Sequence, residues 1–262
     1  MSQPLFVVAL CGAVVLGAAC GSGAPPAEGV GADGATVDGG GPVEAGETID
    51  AAERAEAGDA SADATHGTVV SMVVVPATAN FFGSGHATLP APGGGGEGTP
   101  PVLVALPPGT HRTLTFTDVS GMIDLDGAGP YLPESGADGI LVSTQPGGRK
   151  ESYYGIGPLW SDRILFLVGV FLDDSEPMDP GPPPYTVDPT ATVVDVGLRS
   201  AIFVGDGLNV SLDGVPVAQT FVVPEGATRF FLGFADFAGP GGPVGGYDDN
   251  TGKILGTVTI TY

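Results

Sequence analysis

The sequence predicts an all-β protein, an antiparallel β-sandwich, over residues 66–262. Three observations lead to this fold class. From His66 onward, short runs rich in Val, Ile, Leu, Phe and Thr are separated by Gly and Pro, a composition typical of strands and turns. The segment Ile254–Thr261 alternates between two sets of residues, as a strand with one buried face does. No stretch shows the periodicity of an amphipathic helix.

Nine segments have this strand composition, and no helical crossovers separate them, which favours antiparallel pairing in a sandwich. The Pro- and Gly-rich ranges 90–101 and 173–190 are predicted to be surface loops, where binding sites are commonly built. The predicted strands are Val69–Val75, Val102–Leu106, Thr113–Val119, Ile140–Ser143, Ile164–Leu172, Ala201–Val204, Gln219–Val223, Phe230–Ala235 and Ile254–Thr261.

Composition divides the chain into a flexible part and a folded part. The 262 residues include 45 glycines and 25 prolines, a level typical of disorder, yet 42% are hydrophobic. Acidic residues number 30 against 8 basic ones, and the formal net charge of −22 argues against binding to nucleic acid or to anionic lipid. Carboxylates are hard oxygen donors that suit calcium, although solubility alone also accounts for such a charge.

The first 20 residues are predicted to be a signal peptide. Leu5–Ala19 is nearly all apolar, which is the length of a signal core and short for a membrane span. Small residues before Cys20 resemble a bacterial lipoprotein cleavage site, so Cys20 is a candidate for lipidation, and ordinary cleavage after Ala19 is the alternative. We therefore expect an exported protein, extracellular or anchored in the cell envelope, that meets the membrane only through such an anchor.

Residues 21–65 are predicted to be a disordered acidic linker. They contain ten acidic residues, one basic residue and no aromatic residue, so too little apolar surface is available to offset chain entropy. The only cysteines, Cys11 and Cys20, precede this linker. The folded part therefore has no disulfide and must take its rigidity from its core or from a bound metal.

The segment from Asp236 to Gly252 is the most informative part of the sequence. A predicted strand ends at Asp236, a Gly/Pro loop follows, and Asp248, Asp249 and Asn250 precede the last strand. A hairpin here would return these oxygens to one end of the sheet. Calcium takes six to eight oxygen ligands, and the loop offers several of them. Turn hydrogen bonds made by the same Asp and Asn side chains are the alternative interpretation.

This pattern resembles the calcium and sugar loop of the bacterial calcium-dependent galactophilic lectins of the PA-I (LecA) type. The matching residues are Asp236, Tyr247, Asp249, Asn250 and Gly252, followed by an alternating strand. Gln219–Asp236 and Gly109–Asp126 resemble the family's strands that lead to this aspartate and form the centre of the sheet. The likeness loosely covers most of 66–262, with insertions at 83–101 and 173–190.

The resemblance implies a galactose-binding-domain-like sandwich of jelly-roll type that binds Ca²⁺ and a galactose-like glycan and is not an enzyme. A single site would bind weakly, because each hydrogen bond adds about 1 kcal/mol, and a homo-oligomer would strengthen binding by avidity. The implied calcium ligands are Asp236, the main-chain carbonyl of Gly246, Asp249, Asn250 and a carbonyl at or near Leu125. The implied sugar contacts are Asp236, Phe237, Gly246, Asp249, Asp138 and Ser135.

Four positions depart from the family's pattern. Asp249 replaces an asparagine and Asp248 a glycine, which adds negative charge beside the expected sugar position. Ser135 stands roughly where the family has a histidine, and Asp138 where it has a glutamine. These changes favour calcium binding and put sugar binding in doubt.

Three functions remain open from the sequence. The leading prediction is an exported calcium-dependent carbohydrate-binding protein, and the runner-up is a calcium-stabilised surface or adhesion module that binds no sugar. A glycoside hydrolase is third, since it requires a carboxylate pair.

Other residues offer further candidates with plain structural alternatives. Ser84 lies outside any nucleophile motif, and the three histidines lack zinc-site spacing. The acidic residues of 173–179 suit a second calcium loop, an acid pair or a solvated loop. Trp160, with Tyr153 and Tyr154, suits either an aromatic platform for a sugar or a place in the core.

Overall fold

Two β-sheets packed face to face form an all-β sandwich, which confirms the predicted fold class. The predicted signal peptide, Cys20, the linker over 21–65 and Phe237 lie outside the described residues, as does the side chain of Trp160. The structure, a computed structural model, describes residues 66–91, 96–125, 135–141, 148–188, 190–209, 214–236 and 245–262.

Strands make up most of the regular structure, and two 3-10 turns, Phe81–Gly83 and Tyr247–Asp249, are the helical elements among the described residues. The strands are β1 (Thr68–Pro76), β2 (Val102–Ala105), β3 (Thr113–Leu125), β4 (Ile140–Leu141), β5 (Gly148–Lys150), β6 (Leu159–Ser161), β7 (Arg163–Ile164), β8 (Phe166–Leu172), β9 (Tyr185–Thr186), β10 (Val193–Asp195), β11 (Ala201–Phe203), β12 (Leu208–Asn209), β13 (Val217–Ala218), β14 (Thr220–Val222), β15 (Arg229–Ala235) and β16 (Asn250–Thr261).

One sheet has five strands in the order β1-β16-β3-β14-β10, and the other has four in the order β11-β8-β15-β2. All neighbours in the two sheets are antiparallel except β10 and β14, which are parallel. The remaining strands form the small sheets β12-β13, β4-β7 and β5-β6-β9. No helix within the described ranges has the length and hydropathy of a membrane span.

The core between the two large sheets is built around aromatic rings. Phe116 of β3 packs edge-on against Phe221 of β14, with ring centroids 5.6 Å apart. From the opposite sheet, Phe230 lies 4.6 Å from Phe171 and 6.2 Å from Phe116, measured between centroids. These rings are all buried. The strand alternation predicted for β16 is confirmed, because Ile254, Val258 and Ile260 belong to this core.

The four-stranded sheet is buried on both faces. On β8, Leu167 and Phe171 face the core between the sheets, whereas Phe166, Val168, Val170 and Leu172 join a second cluster on the outer face. Phe81 and Phe82 of the first 3-10 turn and Tyr247 also belong to this second cluster. A strand covered on both faces has a continuous apolar run, as β8 does.

Several predicted boundaries were wrong for reasons that lie in tertiary pairing. The predicted strand Ile164–Leu172 is interrupted at Leu165, whose φ of 55° divides β7 from β8. Strand β3 continues to Leu125 because its end pairs with the start of β16 at Asn250. The range 173–190, predicted to lack regular structure, includes β9, which pairs in parallel with β6.

The connection from β15 to β16 is not the predicted hairpin, because the two strands belong to different sheets. The chain between Asp236 and Asn250 crosses from one sheet to the other at one end of the sandwich. A second crossing lies beside it, where Phe234 N donates to Ala79 O (2.8 Å) just beyond the end of β1.

Replacing Phe230 by alanine should lower the free energy of unfolding by about 3–5 kcal/mol, because its buried ring joins the aromatic residues of both sheets. Urea unfolding measures this loss. The exposed Met72 is the control, and its change to alanine should alter stability by no more than about 0.5 kcal/mol. Equal effects of the two changes would contradict the described core.

Candidate metal centre

The crossing between the sheets brings Asp236 and Asn250 into contact. Asp236 follows the last residue of β15, and Asn250 is the first residue of β16. Asn250 Nδ2 donates a hydrogen bond to Asp236 Oδ2 at 2.8 Å and lies 3.4 Å from the carbonyl oxygen of Ala77. Both side chains are buried, with 0% and 4% of their surface exposed. The two sheets are thus tied together through polar side chains at this end.

Gly246 and Asp249 complete the same cluster. Gly246 has a φ of +86°, and a Cβ there would lie 3.2 Å from Asp236 Oδ2 and 3.7 Å from Asp249 Oδ1. A glycine therefore allows the backbone to approach both carboxylates in a left-handed conformation. The carbonyl oxygen of Gly246 lies 3.4 Å from Asp249 N, a long turn hydrogen bond. Asp236, Gly246, Asp249 and Asn250, predicted as calcium ligands, are therefore gathered in one place.

Leu125, the fifth predicted ligand, lies directly across from Asn250 in the register of β3 and β16. The strand predicted for this part of the chain ended at Val119, which placed this carbonyl in the loop that follows. Leu125 is instead the last residue of β3, because that strand is longer than predicted. The antiparallel register therefore carries the end of the central strand to the same side of the sandwich as the cluster.

Tyr247 anchors the loop between Gly246 and Asp249. Its side chain is buried, and its hydroxyl donates to the carbonyl oxygen of Phe234 at 3.0 Å. Burial, together with the negative charge of Asp236, raises the pKa of the Tyr247 phenol well above its ordinary value. The phenol thus stays a neutral donor at physiological pH.

The side-chain oxygen of Asn250 indicates that a cation fits here. Asn250 Oδ1 is buried and has no hydrogen-bond partner among the described residues. An unpaired buried acceptor costs about 1–3 kcal/mol, so such atoms call for a partner. Carboxylate, amide and main-chain oxygens are the donors that calcium prefers. Within the described ranges no three His, Cys, Asp or Glu side chains gather, so an ion here would rely on the amide and carbonyl oxygens as well as the carboxylates.

The predicted sugar-contact loop has partners of its own. Ser135 pairs with Ile123 through two backbone hydrogen bonds of 2.8 and 2.9 Å, and its buried Oγ has no partner among the described residues. Asp138 Oδ1 accepts a hydrogen bond from Asp206 N at 2.9 Å. Burial, with a smaller contribution from the Asp138 charge, raises the pKa of the Asp206 carboxyl. Asp138 is thus engaged in holding the 205–206 turn.

Asp248 also has a specific structural contact. Its Oδ1 accepts a hydrogen bond from Gly98 N at 2.9 Å. A Cβ at Gly96 would overlap the same carboxylate, 1.7 Å from Asp248 Oδ2. The side chain expected beside a bound sugar therefore holds the loop at 96–98.

Asn80 is a positioning residue that the sequence reasoning missed. It is fully buried, and its Nδ2 donates to the carbonyl oxygens of Pro90 (2.9 Å) and Glu97 (3.0 Å). Its Oδ1 accepts from Phe82 N at 3.0 Å and caps the first 3-10 turn. The sequence carries one signal of this role, an Asn directly before two phenylalanines. A polar side chain next to two large apolar residues is expected to be buried, and a buried polar side chain needs several hydrogen-bond partners.

The other sequence candidates have separate structural roles. Ser84 Oγ donates to Phe81 O at 2.6 Å inside a buried turn. The four acidic side chains of 173–179 each have a hydrogen-bond partner of their own. Asp173 Oδ1 accepts from Ser175, which lowers the Asp173 pKa, and the other contacts are Asp174 with Thr228 (2.6 Å), Glu176 with His86 (3.0 Å) and Asp179 with Gly155 N (2.7 Å).

No family model, curated protein or solved structure matches the chain. The resemblance to galactophilic lectins therefore stays a prediction carried by the residues quoted above.

Replacing Gly246 by alanine should destabilise the fold more than the same change at Gly226. Both glycines have positive φ, +86° and +80°, so both variants carry the cost of a left-handed alanine. Of the two, Gly246 alone has neighbours within 4 Å of the added Cβ, the carboxylates of Asp236 and Asp249, and crowding there should add about 1 kcal/mol or more. Urea unfolding measures the loss of stability in both variants. Equal losses would show that a Cβ at position 246 does not crowd the cluster.

Tyr247→Phe should remove part of the loss of stability at alkaline pH. A phenol whose pKa is raised on folding ionises first in the unfolded chain, so stability is complete below about pH 10 and falls as pH rises above it. Unfolding free energies between about pH 8 and 11 test this. A fall that is as steep in the variant as in the natural chain would contradict the buried, neutral phenol.

Proposed function

We propose that this chain is an exported binding protein, not an enzyme, that recognises a galactose-like carbohydrate with the help of calcium. The observation that carries the proposal is the buried pair of Asp236 and Asn250, with its unpartnered Asn250 Oδ1 and with Gly246 close to the Asp236 and Asp249 carboxylates. The resemblance of this segment to galactophilic lectins supports the same assignment.

In this proposal the side chains of Asp236, Asp249 and Asn250, with the carbonyl oxygens of Gly246 and Leu125, hold the ion. Calcium would supply open coordination positions that accept neutral hydroxyl oxygens in place of water. The rigid links around the cluster reduce the ordering that binding requires, because Tyr247 and the Asn250 amide are already hydrogen-bonded.

A second candidate is a surface or adhesion module in which calcium only stabilises the crossing between the sheets. Two observations favour it: Asp138 accepts a hydrogen bond from Asp206, and Asp248 accepts one from Gly98. Of the side chains expected near the sugar, these two already have structural partners. Calcium binding is common to both candidates, and sugar binding separates them.

Calcium should raise the thermal stability of the full chain, and Asp236→Asn should abolish the effect. At a calcium concentration about 100 times the Kd the gain is about 2.7 kcal/mol, which corresponds to about 5 °C or more in Tm for a domain of this size. Asp195→Asn, at an exposed residue of β10, is the charge-matched control and should keep the full shift. Calorimetric titration of both variants checks the affinity itself, and unchanged affinity in Asp236→Asn would overturn the ligand assignment.

Glycan-array binding in calcium, repeated with a chelator, should distinguish the two candidates. Binding to galactosides that the chelator removes supports the carbohydrate function. A blank array together with a calcium-dependent rise in Tm supports the stabilised module. Release of free sugar from a glycoside panel would contradict both.

A further inference from the structure

A cavity lies at the opposite end of β8 from the Asp236 cluster. Phe166 at the start of β8 pairs with Ala235, whereas Leu172 at its end pairs with Arg229. Seven residues of strand separate these ends by about 20 Å. The cavity has a volume of about 580 Å³. It lies between the loop that follows the first 3-10 turn, the turn at 153–156 and the loop at 173–181. Its main lining residues are His86, Tyr154, Glu176, Pro177, Met178 and Asp179.

Two arginines fix the wall that the loop at 173–181 contributes. Arg229 donates to the carbonyl oxygen of Asp173, and its Nε lies 2.8 Å from that atom. Arg199 Nη1 donates to the carbonyl oxygen of Met178 at 2.9 Å. These bonds use main-chain carbonyls, and within the described residues no ion pair joins either arginine to Glu176 or Asp179. The cavity is therefore a built feature with an acidic wall.

His86 joins this loop to the turn on the other side of the cavity. Its imidazole is only 5% exposed, and Nδ1 lies 3.0 Å from Glu176 Oε1. Nε2 lies 2.9 Å from the carbonyl oxygen of Tyr154. Both ring nitrogens thus have partners within the protein, so the imidazole has no free donor for a ligand.

Tyr154 has an unusual place for an aromatic residue. Tyr153 and Ile156 exchange two backbone hydrogen bonds of 3.1 Å across a two-residue turn, in which Tyr154 has a φ of 50° and Gly155 a φ of 73°. Such a type I′ turn favours Asn-Gly, and a bulky residue in its first position is strained. The Tyr154 ring is 42% exposed and packs edge-on against His86 with centroids 5.4 Å apart. The turn accepts this residue and presents an aromatic ring to the cavity.

The lining is rich in acceptors and poor in free donors. Glu176 Oε1 is held by His86 Nδ1, but the Glu176 side chain is largely exposed, and Asp179, which also lines the cavity, accepts one backbone hydrogen bond. Apart from the hydroxyls of Thr88 and Tyr154, the lining side chains offer no free donor. Carboxylates beside an aromatic face and a thioether such as Met178 suit a cation carried on an apolar stem. The chain's net charge of −22 raises the local concentration of cations further.

We propose that this cavity binds an organic cation, a primary ammonium group on a short alkyl stem. The aromatic ring and the thioether contact the stem, and the Glu176 and Asp179 carboxylates receive the ammonium protons. A free alkylamine and the side chain of a lysine carry the same chemistry. This site uses none of the proposed calcium ligands, so its test is independent of the function proposed above.

Calorimetric titration of the full chain with cadaverine and with Nα-acetyl-lysine amide, in a chelator, tests the proposal. We expect saturable binding that weakens as salt is raised. Tyr154→Asn should weaken it by about tenfold, through loss of the aromatic face, while thermal stability is kept or raised because Asn suits the turn. Glu176→Gln should also weaken binding, whereas Glu225→Gln, a charge-matched change at an exposed turn residue outside the cavity, should not.

The results of these titrations test the site and show which kind of amine it binds. Binding of both probes supports the site and shows that it accepts a lysine side chain. Binding of cadaverine alone supports the site with a free amine as its ligand. The proposal is overturned if neither probe binds. Affinity that Tyr154→Asn leaves unchanged also overturns it, since a stable variant excludes misfolding. Chelator-resistant binding of a neutral galactoside that Tyr154→Asn removes would assign the cavity to a different ligand class.

Discussion

The hydrogen bond between Asn250 and Asp236 is the contact on which this end of the molecule depends. It joins the first residue of β16 to the residue after β15, and these strands belong to opposite sheets. Placing a carboxylate in a buried position is unfavourable unless it has partners, so the site must be satisfied by the amide and by its other neighbours. The backbone at Gly246 lies close to this pair, and the buried Tyr247 fixes the loop between Gly246 and Asn250. The candidate calcium site is thus a part of the sandwich itself.

Much of the fold was predictable because it depends on pattern within short segments. The alternation of β16 and the apolar run of β8 indicate their burial directly. The short strands were not predictable, since a pairing such as β6 with β9 brings together residues 26 positions apart, Leu159 and Tyr185. The break at Leu165 was missed because nothing in a run of apolar residues marks a positive φ. Which sheet each strand joins was likewise a tertiary property, so the predicted hairpin proved to be a crossing.

The candidate site shows the same division. Asp236, Gly246, Asp249 and Asn250 lie within fifteen consecutive residues, so their proximity follows from one loop, and the structure brings them together. The contacts of other charged residues span long separations. Asp248 bonds Gly98 across 150 positions of sequence, and Asp138 bonds Asp206 across 68. No local pattern specifies such partners, so the expected roles of these two aspartates near a sugar rested on the family resemblance alone.

Crystals grown in millimolar calcium, measured for anomalous scattering at long wavelength, test the central claim most directly. The account predicts a peak about 2.4 Å from an oxygen of Asp236 and from Asn250 Oδ1. A map with no anomalous peak beside these oxygens would contradict calcium binding at this site.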